Sequence, residues 1–134
     1  MNEIRVSVHH NRALQLANAM QLCRDDIGAY AAAVGLLAIH SAISFGDAVL
    51  IRLTGQRSRS KDHRKTLDAI NKACTKNNIR PDGVKHLEKL VSAKTEISYG
   101  DKQADERTVQ VLYIAAGRFQ AWAEHVLKNK GRGV

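Results

Sequence analysis

Arginine and histidine recur in this chain at a separation suited to metal-free phosphodiester chemistry. Arg5/His10, Arg57/His63, Arg80/His86 and Arg118/His125 each place a guanidinium ahead of an imidazole with four to six residues between them. An imidazole there can move a proton at a ribose 2′-hydroxyl or at the leaving oxygen, and a guanidinium can stabilise charge on the phosphorane. Random placement of this many Arg and His gives about one or two such matches, so spacing alone does not choose among them. Position favours Arg57 and His63. They lie in a run with Arg52, Arg59, Lys61, Arg64 and Lys65, diluted only by Asp62 and Asp68. Arginine forks onto phosphate oxygens, the intervening serines add neutral donors, and a helix predicted to begin here would offer amides to an anion. The expected roles are His63 as general acid/base, Arg57 as phosphate stabiliser, and Arg52, Arg59, Lys61, Arg64 and Lys65 as RNA-binding cations. The ordinary alternative is a solvated charge run. No aromatic residue lies in the run, so stacking of bases is not signalled.

Two further sets are secondary candidates. His40, Ser44 and Asp47, spaced by four and three, share one face of a helix, where a carboxylate can orient an imidazole and raise its pKa. The plainer reading, that these polar groups fix the register of a neighbouring helix, is favoured. Arg118 and His125, seven apart, also share a helical face. The chain contains no Walker loop, GxGxxG, HExxH, GxSxG or EF-hand pattern, and Cys23 and Cys74 have no zinc spacing, so neither a cofactor nor a metal is expected.

The elements that must position these residues are helices. Nine Gly, one Pro and sparse turn signals argue against repeated hairpins, and with 4% aromatics the core must be built from Ala, Leu, Ile and Val. The spacing predicts a first helix within Arg12 to Arg24, with a seam of Ala13, Leu16, Met20 and Cys23; the alternating Ile4 to Val8 could be extended or an earlier turn of it. Asp25 and Asp26 cap a second helix that runs to about Thr54 and is closed by Gly55. Apolar residues on both of its faces make it the packed hub. Ser60 is the expected cap of a third helix through Leu67, Ile70 and Cys74 to Asn77-Asn78. Pro81 opens a short fourth with Val84, Leu87, Leu90 and Val91 as its stripe. Ala93 to Gln103 has no clear period and contains the turn signal Tyr99-Gly100-Asp101. A last helix covers about Asp105 to Lys128 on the seam Leu112, Ala115, Phe119, Trp122 and Val126, leaving 129–134 as a frayed basic tail. The fold class is therefore all-α, one domain over 1–134, an antiparallel bundle of four to five helices with a long central and a long C-terminal helix.

Lys and Arg total 21 against 13 Asp and Glu, a formal net charge of +8, which raises affinity for polyanions. Ile27 to Gly46 lacks charged residues altogether, but it is rich in Ala and Gly and carries His40, Ser41 and Ser44. That is thin apolar content for about 20 residues in hydrocarbon, so no membrane partner is expected. Two unpaired-looking cysteines and the lack of a secretion pattern in the first residues fit a cytoplasmic protein.

Taken together, the hub segment AIHSAISFGDAVL, the following RSRSKDHRK, the ISYGD turn and the closing RFQAWAEH resemble, in order, the HEPN superfamily of small helical domains of prokaryotic toxin and defence systems. The resemblance implies a homodimer that binds RNA or nucleotides, and in many members a metal-independent ribonuclease with an Arg-x4-6-His motif. Active members usually follow the Arg with Asn, Asp or His; here Ser58, Pro81 and Phe119 follow the three later candidates. The alternative is a non-catalytic module that docks a protein partner, such as an antitoxin or a nucleotidyltransferase.

Overall fold

The computed structural model describes residues 2–58 and 62–130, without the Lys130 side chain. Five helices follow in order: α1 (Asn2–Arg24), α2 (Ile27–Thr54), α3 (His63–Lys76), α4 (Val84–Tyr99) and α5 (Glu106–Lys130). No strand occurs among the described residues. The fold is an all-α bundle organised around α2, against which all four other helices pack.

Apolar side chains on several sides of α2 account for that arrangement. Val34, Ala38, Ile39, Ala42, Phe45, Ala48, Val49, Leu50 and Ile51 are all buried in the shared core. Small residues let the partners approach closely: a Cβ on Gly35 would meet Ile97 of α4, and one on Gly46 would meet Leu87 of α4 and Ile70 of α3. Gly55 closes α2 in the left-handed conformation (φ 82°), and its N–H donates to the Ile51 carbonyl. The helix is long and apolar enough to cross a bilayer, with a mean hydropathy of 1.8 over its best window, yet 72% of that window is buried against the rest of the protein. This is the profile of a core helix.

Several boundaries differ from those the sequence suggests. The first helix begins at Asn2, ten residues before Arg12, because only Val6 of the alternating segment turns inward and joins Ala13, Ala17 and Met20, while Ile4 and Val8 are exposed. Asp26 occupies the N-cap position of α2 without a side-chain capping bond. The cap of α3 is Asp62, whose carboxylate accepts from the Arg64 N–H at 3.0 Å; Ser60, expected in that role, lies outside the described residues. Helix α4 starts three residues after Pro81 and continues through Ala93 to Tyr99, because Ile97 keeps a contact with the hub. Helix α5 includes residues 129 and 130, expected in the tail, and residues 131–134 lie outside the description.

Candidate functional site

The connector after α2 has both of its described ends against the polar stripe of the hub. Arg57 reaches Asp47, with its Nη1 3.9 Å from Oδ2. His63, at the start of α3, lies within the electrostatic field of His40. Residues 40 and 47 are two turns apart, so Arg57 and His63 are held at ends of the stripe separated by about 10 Å along the helix. The structure does not bring the two together as one acid–base and phosphate-holding pair. Arg59 and Lys61, expected beside them as RNA contacts, lie outside the described residues.

At the first end, Asp47 is nearly buried, with a side-chain exposure of 13%, and His9 of α1 lies 4.0 Å from it at 11%. Both separations exceed hydrogen-bonding distance; the Arg57 contact is an ion pair, and the His9 contact is one only when His9 is protonated. Burial pushes the Asp47 carboxyl up from 3.8 to about 6, against the opposing pull of Arg57 and Arg12. Burial, with Arg12, Arg57 and Arg5, lowers the His9 pKa. His40 is not among the groups that act on Asp47, so the stripe does not form a His–Asp relay. Arg52 is committed within the protein. It donates to the Leu127 carbonyl at 2.7 Å, satisfying a C-terminal acceptor of α5, and pairs with Glu3 at 3.4 Å.

At the other end, three helices deliver basic groups to one place. His40 comes from α2, His63 from the first turn of α3 and Lys94 from α4. Asp62, His63, Arg64, Val91, Ser92, Lys94 and Thr95 line a cavity of about 290 Å³. Burial lowers the pKa of His63, Lys94 and His40 lower it further, and Asp62 partly opposes them. Burial and Lys94 do the same to His40. Lys94 opposes protonation of both histidines, so the site is short of negative charge and a bound anion would relieve both rings. The amides of α3 contribute less than their position suggests. Asp62 already takes the Arg64 N–H, and its carbonyl takes the Lys65 N–H at 3.1 Å. An anion here would be held by side chains. Arg64 and Lys65 are exposed on the same first turn.

No family model matches this chain, and no curated protein matches it. The site's chemistry therefore rests on its own residues. Its volume lies at the lower edge of the roughly 300–1,000 Å³ of small-molecule pockets, enough for a phosphate and part of a sugar. Among the described residues no group of His, Cys, Asp and Glu could hold a metal ion.

Arg118 and His125 are both exposed on α5 and do not share one site. Arg118 lines a second cavity, with Lys85, His86 and Lys89 of α4. His125 is bonded to Asn129, whose side-chain amide reaches its carbonyl at 2.9 Å. Sequence reasoning missed Lys94 because it falls in the stretch without a period. The available signal was its place three and four residues after Val91 and Leu90, which extends the α4 pattern by one turn.

Proposed function

We propose that this protein is a HEPN-like RNA-binding protein that holds a backbone phosphate among His40, His63 and Lys94 and cleaves RNA there without a metal. The observation that carries the proposal is a cavity lined by His63, Arg64 and Lys94 from two helices, with His40 of a third close enough to act on His63. Cleavage needs a base, an acid and a cation, and the cluster supplies each type. Neutral His63 takes the 2′-hydroxyl proton, the 2′-oxygen bonds to phosphorus, and the bond to the 5′-oxygen breaks as His40, protonated once the bound phosphate offsets the field of Lys94, gives that oxygen its proton. Lys94 offsets the charge on the phosphorane. Arg57 acts from the neighbouring Asp47 cluster and not on the reacting phosphate. The resemblance adds a cytoplasmic homodimer of a toxin or defence system to this reading.

The test is cleavage of a labelled RNA in excess EDTA by purified wild-type and His63→Ala protein. The expected result is cleavage by the wild type to a 2′,3′-cyclic phosphate end, slowed by about 10²- to 10⁴-fold in the variant. Equal cleavage by the two proteins would overturn the reaction. Absence of RNA binding even at low salt would overturn the whole reading and favour a module that docks an antitoxin or a nucleotidyltransferase.

A further inference from the structure

Helix α4 carries a second cationic group on its other flank. Lys85, His86 and Lys89 on α4 and Arg118 on α5 border a groove of about 490 Å³ whose floor includes Val111 and Ile114. Those two floor residues are 43% and 44% exposed, unusual for a β-branched pair on a helix whose other apolar positions are largely buried. Lys85, Lys89 and Arg118 all bear on His86 and lower its pKa beyond the effect of burial. The groove thus pairs positive charge at its rim with an apolar surface beneath. A polyanion carrying flat, apolar-faced groups at regular intervals matches that chemistry.

The position of the groove selects the occupant. Lys85 and Lys89, one turn apart, face one flank of α4, and Lys94 faces the phosphate cavity on the other. From Lys89 to Lys94 is about 8 Å along the axis, and crossing the helix adds roughly its 10 Å width. The exposed ridge between them carries Ser92, which lines the first cavity, with Glu88 and Glu96 one turn before and after it, so the phosphates of a crossing strand sit on the flanks and not on the ridge. A chain with one charge per repeat can span that gap and be neutralised on both sides, whereas a single small anion cannot.

We infer that a single strand of RNA held at the His63 cavity crosses α4 and continues into the α4–α5 groove, where Lys85, Lys89 and Arg118 take its phosphates and Val111 and Ile114 receive the face of a base. This inference rests on the proposed RNA binding and extends it to a second subsite that sets how many nucleotides are gripped.

Fluorescence anisotropy with labelled oligouridines of about three and about twelve nucleotides tests it, using wild-type protein and the triple variant Lys85→Ala/Lys89→Ala/Arg118→Ala. All three positions are on the rim, and an unchanged circular dichroism melt shows that the variant is folded. The expected result is that the triple variant binds the longer RNA about tenfold or more weakly, and that the slope of log affinity against log salt falls by about 2, for three lost contacts on a single strand. The short RNA should bind both proteins alike. If the longer RNA binds wild type and variant equally, the second subsite is wrong while RNA binding stands. If neither RNA binds the wild type, both fall. Displacement of the longer RNA from the groove by polyglutamate at equal charge concentration would replace RNA with an acidic peptide as the occupant.

Discussion

Asp47 and His63 began as members of two separate candidate sets, and the fold gives each a different chemical setting. Asp47 is a buried carboxyl whose pKa is raised to about 6, with desolvation outweighing the attraction of Arg57 and Arg12. The folded state therefore binds this proton more tightly than the unfolded chain does. Its contribution to stability is full below the ordinary value near 3.8 and is lost as pH rises through about 6. Asparagine resembles the protonated acid and does not titrate. Urea denaturation should find Asp47→Asn close to wild type at pH 4 and more stable than wild type at pH 7.5, with the gain appearing between them. A stability difference that stays constant across that range would contradict the assignment. His63, by contrast, is pressed towards its neutral form by burial and by Lys94 and His40. That is the form a general base needs at neutral pH.

At the scale of elements, the hub was legible in the sequence because its apolar residues occupy more than one face, and because Gly55 stands where a left-handed stop is required. The start of α1 was not. Ile4, Val6 and Val8 alternate as a strand would, but α1 buries only Val6 and the flanking polar residues find partners. His10 packs on Phe45 at 5.9 Å between ring centres and bonds Glu124 of α5. The end of α4 was hidden for a related reason: after Val91 only Ala93 and Ile97 join the core from that helix, too few to set a period. That hid Lys94, and with it one wall of the candidate site. The base of α4 is fixed by a close contact that the sequence does not announce. A Cβ on Gly83 would come within 2.4 Å of Trp122, whose indole N–H donates to the Arg80 carbonyl at 3.0 Å. The Gly83 backbone is right-handed (φ −82°), so alanine is excluded there by sterics alone. Gly83→Ala should destabilise the protein by about 1–3 kcal/mol, read as a lower urea midpoint. An unchanged midpoint would mean that Trp122 moves aside without cost.

For the whole molecule, the formal charge of +8 is unevenly spent. Arg5 and Arg52 are turned to the protein's own carbonyls, donating to Gly55 and Leu127, and Arg57 serves Asp47. Of the other cations, Lys94 stands by His63 on one flank of α4, and Lys85, Lys89 and Arg118 stand by His86 on the other. The basic run that drew attention in the sequence is thus divided. Arg52 and Arg57 are held within the bundle, and His63 and Arg64 belong to a site completed by His40 and Lys94, which are distant in sequence. Lys94 is the member that only the fold reveals, so it gives the most direct test of RNA phosphate held at this site. Affinity for a short labelled RNA should be measured across a salt series for wild type and Lys94→Ala. The account predicts weaker binding by the variant and a log–log salt slope shallower by about 0.7, one lost single-strand phosphate contact. Identical affinity and identical slope would contradict it.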